Sequence, residues 1–301
     1  MEKEDIRSMA PAQREAVVTE LGWPPFRARQ LSRWLDSGVT DLSKMTDLPE
    51  KLRAQLAERY TAPGVSISRR LVSAIDGTVK YLFSLSDGET VEAVLMQYHH
   101  GWSMCLSTQV GCKMGCVFCA TGMGGFVRNL TASEMLAQIE TAQVDRGIRV
   151  SSIVLMGMGE PLDNFEQVTR FLDMLGTEDG VHIGMRHVSL STCGLVDRIR
   201  LLQEKNYALT LSVSLHAPND ALRDRLMPVN RRFPVDELLA ACRDYAAHTG
   251  RRISFEYAMI RGVNDSDACA YELAEKLSGM LCHVNLIPAN EVKGKSHHRS
   301  T

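Results

Sequence analysis

The sequence predicts an α/β fold, and three observations carry that prediction. From residue 104 onward, β-forming runs alternate with stretches of helical periodicity. Alternation of this kind is the pattern of a parallel sheet joined by right-handed crossovers. Residues 1–62 instead read as a small helical unit, and 63–103 as a β-rich extension of hairpin strands. The 301 residues leave room for about two domains. Hydrophobic residues make up 45% and charged residues 23%, which excludes a largely disordered chain.

In the helical unit, FRARQLSRWLDSG sets Phe26, Leu31, Trp34 and Leu35 at helical spacing, with Gly38 as the C-cap. LPEKLRAQLAERY gives a second helix with Pro49 at its start. Arg27, Arg29 and Arg33 cluster on the first helix and read, on residues alone, as a solvated face; charge in 1–60 balances at ten basic and ten acidic residues. In the extension, SISRRLVSA, KYLFSLS and TVEAVLMQY are strands, and Asp76-Gly77 and Asp87-Gly88 are turns. The third part, 104–301, has strands at 104–107, 153–156, 188–190, 209–215, 253–260 and 283–287. Helices fall at 132–146, 165–175, 195–204, 235–248 and 266–279. The first of these opens with a capping box, Thr131 and Glu134, and carries an apolar stripe of Met135, Ile139 and Ala142. Six strands face five helices, so a sixth helix is missing after the last strand.

Thirty-four basic against 36 acidic residues give a net charge of −2, so only local patches could attract nucleic acid. Residues 222–261 form one such stretch, with eight arginines against five acidic residues. A solvated surface explains that stretch equally well. No apolar run approaches the ~18 residues that span a bilayer. MEKEDIRSMA is charged from its second residue and is no signal peptide. The expectation is a soluble cytoplasmic protein.

Four of the eight cysteines, Cys105, Cys112, Cys116 and Cys119, fall within fifteen residues. In a long cytosolic chain this points to a metal or redox site rather than disulfides. Three of them stand as Cys-x3-Cys-x2-Cys in GCKMGCVFCAT. Structural zinc sites and fully protein-ligated iron–sulfur clusters both want four ligands. Three thiolates on a cubane leave one iron open to a substrate. A structural zinc site and incidental buried thiols are the other readings. Cys193, Cys242, Cys269 and Cys282 read as structural hydrophobes.

Further polar residues fall just past strand ends, the ligand-binding end of a parallel α/β fold. They are Gly159 and Glu160 in MGMGEP, Ser191, Ser214-Leu215-His216, and Asn290. Singly they read as a turn, a polar cap or a structural imidazole; their common face is what suggests a ligand. Glu92 in TVEAVLM reads alone as solvent-facing by strand alternation, and Cys105 as a buried strand cysteine.

Cys-x3-Cys-x2-Cys after the first strand of a β/α barrel resembles the radical S-adenosylmethionine (SAM) enzymes. CLSTQVGCKMGCVFCATG, SIVLMGMGEPLDN, VSLSTCG, LSVSLHAPND, LRDRLMPVN and HVNLIPANE narrow the likeness. They resemble the adenine-carbon-2 RNA methyltransferases, the RlmN type with the Cfr resistance type as close relatives. NLIPANEVKG favours the housekeeping type. The likeness covers nearly the whole chain, FRARQLSRWL included. It implies a partial (β/α)6 radical SAM barrel, C-terminally truncated, behind the helical domain and the β-hairpin region.

The resemblance also implies a chemistry. Cys112, Cys116 and Cys119 would hold one 4Fe–4S cluster. Gly159 and Glu160 would hold the amino group of SAM, and Ser191, Ser214, Leu215, His216 and Asn290 would contact the rest. A first SAM would methylate a cysteine near the C-terminus; a radical made from a second would activate that methyl group for addition to adenine. Glu92 would accept the proton, and Cys105 would resolve the protein–RNA thioether. Substrates would be 23S ribosomal RNA and tRNA, gripped in part by the arginines of the helical unit. The electron would come from a donor such as flavodoxin, and the enzyme would act as a monomer away from membranes. The family's methyl-accepting cysteine lies in a motif resembling DIDAACGQL, which these 301 residues do not contain. The expectation is that this chain binds cluster and SAM without completing methylation. A non-catalytic RNA-binding remnant and a radical SAM enzyme with another substrate are the alternatives.

Overall fold

The computed structural model describes residues 3–177, 180–290 and 298–300. Of the ANEVKG stretch, only Ala289 and Asn290 fall among the described residues. Two compact units divide the chain. The first holds Met1–Ser107, Asn129–Ile153 and Glu166–Gly184; the second holds Thr108–Arg128, Val154–Phe165 and Met185–Thr301.

The first unit opens with β1 (Glu4–Asp5), α1 (Pro11–Glu20), α2 (Arg27–Asp36), α3 (Glu50–Arg59) and β2 (Tyr60–Thr61), which pairs parallel to β1. Ile6, Leu31, Leu35, Met45 and Leu56 form a core of their own. The predicted helices are α2 and α3, and Gly38 follows α2 with φ +90°. Helix α1 is not legible from apolar spacing, because Arg14 occupies one of its core positions. That guanidinium is held inside by its two terminal nitrogens, which donate to Asp36 at 2.8 Å and to the Arg7 carbonyl at 2.7 Å.

An antiparallel meander follows: β3 (Ser66–Val72), β4 (Val79–Ser84), β5 (Thr90–Tyr98) and β6 (Gly101–Cys105). Its first two turns are the predicted Asp-Gly pairs. Each Asp carboxylate accepts the amide two residues on, and Gly77 and Gly88 take φ of +72° and +89°. The strand predicted at 104–107 begins earlier and ends at Cys105. Short strands β7 (Gln109–Gly111) and β8 (Phe126–Asn129) pair across the cysteine-bearing loop. Helix α4 (Ala132–Arg146) starts on the predicted capping box and buries Met135, Ile139 and Ala142 completely. Strand β9 (Val150–Leu155) passes from the first unit into the second, and α5 (Phe165–Met174) returns. Within the first unit the strand order is β9-β6-β5-β4-β3.

The second unit carries β10 (Val188–Thr192), α6 (Val196–Glu204), β11 (Thr210–Ser214), α7 (Asp220–Leu226), α8 (Val235–Thr249), β12 (Ile253–Met259), α9 (Asp267–Leu277) and β13 (Cys282–Pro288). Strands β10 to β13 are mutually parallel, in the order β9-β10-β11-β12-β13. The repeated strand–helix alternation therefore yields the predicted parallel arrangement. Leu211, Val213, Ile253 and Phe255 are fully buried, while Leu286 on β13 is 60% exposed. Among the described residues, no helix is long and apolar enough to cross a membrane.

Candidate cofactor site and catalytic pair

A cavity of about 440 Å³ opens at the C-terminal ends of the strands of the second unit. Cys112, Cys116 and Cys119 line it, together with Gly159, Glu160, Ser191, Ser214, His216 and Asn290. All three loop cysteines and six of the seven strand-end residues named from sequence thus meet in one place. Leu215 is the exception: its side chain is fully buried, and only its backbone takes part, donating to the Glu256 carbonyl at 3.1 Å. A larger open cavity of about 770 Å³ in the first unit holds none of the expected site residues.

The cysteine loop is fixed at both ends. Gly111 takes φ +75°, and a Cβ there would stand 1.9 Å from the Gly125 carbonyl oxygen, which also accepts the Cys112 amide at 2.9 Å. Only glycine lets β7 and the 125–126 backbone approach this closely. At the other end, Val117 donates to the Leu226 carbonyl at 3.0 Å. Burial pushes the Cys112 thiol up, and burial with its thiol neighbours pushes Cys116 up to about 12. These thiols are neutral at pH 7 until a metal centre takes their protons. Among the described residues, no group of three or more Cys, His, Asp or Glu is placed to hold a single metal ion. The three cysteines line one cavity. Three thiols fall one short of the four protein ligands of a structural zinc site and suit a cluster that keeps one iron open.

The MGMGEP turn is held against β7. The Glu160 amide donates to Gln109 Oε1 at 2.8 Å, Gln109 Nε2 donates to Asp163 at 2.8 Å, and the Thr108 amide donates to the Met158 carbonyl at 2.8 Å. The Glu160 carboxylate accepts the Leu162 amide at 3.0 Å and the Cys193 amide at 2.7 Å. Burial raises its pKa, opposed by these amides and the Thr192 hydroxyl. Glu160 therefore ties the turn after β9 to the turn after β10 as well as facing the cavity. Sequence reasoning did not find Gln109, nor Cys193, whose thiol also lines the cavity. Position was the available signal for Cys193, since it stands two residues past Ser191 at a strand end.

His216 has a left-handed backbone, φ +57°. Asn264 compensates by donating to the His216 carbonyl at 2.7 Å, while the Ala258 amide donates to His216 Nδ1 at 2.9 Å. A backbone amide can only donate, so the proton of the neutral ring sits on Nε2. The Phe118 ring meets it edge-on at 4.8 Å. Burial, then Arg223, push the His216 pKa down to about 3. Between about pH 6.5 and 3 the unfolded chain binds a proton that the folded chain refuses. Stability from this group is thus complete above 6.5 and lost as pH falls, by about 1.4 kcal/mol per unit. Urea unfolding of wild type and His216→Gln across pH 7 to 4 is expected to show a steeper acid loss in wild type, about 3 kcal/mol larger at pH 4. Parallel curves would remove the assignment of a neutral, buried ring.

Glu92 and Cys105 lie in the first unit. Val94 pairs with Cys105 across β5 and β6, so Glu92, two residues from Val94, shares a sheet face with Cys105. The carboxylate is 48% exposed, as alternation predicts, and pairs with Lys80 at 2.8 Å. Its carbonyl accepts the Ser107 hydroxyl at 2.5 Å. Cys105 is only partly buried, so the buried-cysteine reading does not hold. All eight cysteines are thiols.

A parallel β/α sheet with three loop thiols and a row of strand-end polar groups around one cavity defines a radical SAM fold. The profile of the Radical SAM superfamily matches residues 106–273, and that of the ribosomal RNA large subunit methyltransferase N-terminal domain matches 5–61. The probable dual-specificity RNA methyltransferase RlmN of Alkaliphilus oremlandii is 50% identical over 99% of this chain and 87% of its own length. Its namesake from Lachnoclostridium phytofermentans is 48% identical, over 100% of this chain and 85% of the relative. The crystal structure of a radical SAM methyltransferase from Sphaerobacter thermophilus superposes with a TM-score of 0.90. It is 46% identical, over 99% of this chain and 89% of that one. The chain belongs to the RlmN-type radical SAM methyltransferase family.

Proposed function

We propose that this protein is a SAM-dependent RNA methyltransferase that modifies carbon 2 of adenine in 23S ribosomal RNA and in tRNA. The observation that carries the reading is the meeting of three loop thiols with the strand-end residues in one cavity. A 4Fe–4S cluster, when bound, supplies the electron that cleaves the sulfonium bond of SAM. Cys112, Cys116 and Cys119 would hold that cluster. Gly159 lets the turn backbone approach a ligand, and Glu160 presents a carboxylate for an ammonium group. His216 offers an Nε2–H donor of fixed tautomer, while Ser191, Ser214 and Asn290 would supply neutral hydrogen bonds; the Leu215 backbone is engaged with Glu256 and Arg223 and would act by shaping the turn.

In the first unit, Glu92 would take the proton from adenine carbon 2, and Lys80 holds its carboxylate in place. The Cys105 thiol on the same sheet face would resolve the thioether. Arg29 and Arg33, exposed on α2, would contact RNA phosphates. The work would take place in the cytoplasm with an external one-electron donor of the flavodoxin kind. The test is anaerobic reconstitution of the full chain with iron and sulfide, followed by SAM, dithionite and an unmodified 23S RNA fragment. Mass spectrometry is expected to find 5′-deoxyadenosine. A fully loaded protein that binds no RNA and releases no 5′-deoxyadenosine would end the reading. Accompanying 2-methyladenosine would show that one of the eight cysteines present serves as the methyl carrier.

A further inference from the structure

Below the cavity lies a charged group with no role so far. Arg223 on α7 is fully buried. Its Nε donates to the Leu215 carbonyl at 3.1 Å, its Nη2 to the Cys193 carbonyl at 2.6 Å and the Ser214 carbonyl at 3.1 Å, and its Nη1 to Asn230 Oδ1 at 3.1 Å. Every acceptor is neutral. Asn230 turns its own amide to Asp220 at 2.9 Å and Asp224 at 2.8 Å, so neither carboxylate hydrogen-bonds the guanidinium, although Asp220 still acts on it through space. Four hydrogen bonds satisfy the geometry of the fork but leave its charge without a direct counter-charge. A buried charge in that state is costly unless an anion comes to it.

The surroundings indicate which anion. Leu226, one helical turn beyond Arg223, accepts the Val117 amide at 3.0 Å, and a Cβ on Gly115 would meet Pro228 at 3.7 Å. Helix α7 and the turn after it therefore lie against the loop segment that carries Cys116. Negative charge on Cys193, on Cys116 or on Cys242 would act on Arg223, as the Asp220 carboxylate does. The carbonyls that Arg223 holds belong to Cys193, Ser214 and Leu215, in the turns that end β10 and β11. Gly194 sits in the same packing: a Cβ there would lie 2.8 Å from Leu238 Cδ2 and 3.3 Å from Arg223 Nη2. One side chain thus clamps both ligand-facing turns and places a fixed positive charge beside the cysteine loop.

We propose that Arg223 is a positioning residue that balances the charge of a thiolate-ligated cluster and sets the register of the two turns that contact SAM. The inference rests on the cluster-binding reading above. Two substitutions in the full chain separate its parts. Arg223→Gln removes the charge; Arg223→Lys keeps the charge but loses the planar fork. Each protein is reconstituted anaerobically, its cluster titrated potentiometrically by electron paramagnetic resonance, and SAM binding measured at equilibrium.

Loss of a nearby positive charge makes reduction harder. Arg223→Gln is expected to shift the reduction equilibrium about tenfold toward the oxidised form, ~59 mV for a one-electron couple. Arg223→Lys should stay within about threefold of wild type in that titration. Both should bind SAM about tenfold more weakly, because the turns lose their clamp. A folded, loaded Arg223→Gln protein with the wild-type potential overturns the charge role. If that variant fails to fold, Arg223→Lys decides: wild-type SAM affinity overturns the clamp, and weakened affinity at unchanged potential supports it. A wild-type protein that loads no cluster defeats the underlying reading instead, which is a different result from either.

Discussion

Exchange of Cys116 for serine is expected to yield a folded protein that retains no stable cluster and loses activity by at least about a thousandfold. The three loop thiols are the whole protein complement that one cavity wall offers to a cluster. Losing one leaves two, half of the four protein ligands that iron–sulfur clusters ordinarily take. Cys116 is the most demanding of the set, since burial and the neighbouring thiols already hold it up to about 12. Serine at that depth would need a still stronger pull to ionise. The informative partner is Cys193→Ala. Cys193 lines the same cavity, and burial raises its thiol well above the ordinary range, with Glu160 and Cys116 adding to the effect. It sits on the turn after β10 rather than on the loop; its amide donates to Glu160 at 2.7 Å, and its thiol bonds to the same carboxylate. Alanine keeps the amide, so iron and sulfide per chain should match wild type. Cluster retained in Cys116→Ser, or lost in Cys193→Ala, would mean that the ligand set has been misassigned.

The sequence was most informative where local rules and burial agree. Helix α4 shows this: Thr131 caps, Glu134 returns the bond, and Met135, Ile139 and Ala142 are all fully buried. The parallel strands of the second unit could be read because they are apolar runs between helices. The cysteine loop could be read because its spacing is chemistry and not packing. Elements that bury charge were not legible. Helix α1 sinks Arg14, and α7, only seven residues long, has Arg223 and Leu226 as its buried residues. In both, the guanidinium donates to oxygens outside its own helix, to Asp36 and the Arg7 carbonyl for Arg14 and to three turn carbonyls and Asn230 for Arg223, which no periodicity announces. The same holds for Gln109, whose amide joins Glu160 to Asp163 across more than fifty residues. Glu92 and Cys105 were named from resemblance, but their shared face follows only from the strand register that pairs Val94 with Cys105. Exposure alone would have ranked neither above an ordinary strand residue.

The second large effect is expected from one methyl group, in Gly159→Ala. Gly159 takes φ +106°, a region that L side chains rarely adopt, at about 1–3 kcal/mol. A Cβ there would stand 2.6 Å from Gln109 Cβ and 2.8 Å from Gln109 N. Such overlap with backbone adds about 1–3 kcal/mol of overpacking, because backbone cannot rotate away as a side-chain end can. Together they predict a loss of about 2–6 kcal/mol of stability, with a melting temperature lower by roughly 4–24 °C. The damage should also reach the ligand. Moving the turn off Gln109 releases the Glu160 amide and with it the carboxylate that joins the turns after β9 and β10. SAM affinity should fall by at least about tenfold in any population that remains folded. A second substitution identifies the cause. Gln109→Ala in the same chain keeps both the Cβ and the amide nitrogen that clash, so it should not restore stability. Rescue by that change would place the conflict at the far end of the Gln109 side chain instead. Gly159→Ala with wild-type melting and wild-type SAM affinity would show that neither the close approach nor the left-handed backbone is required at this turn.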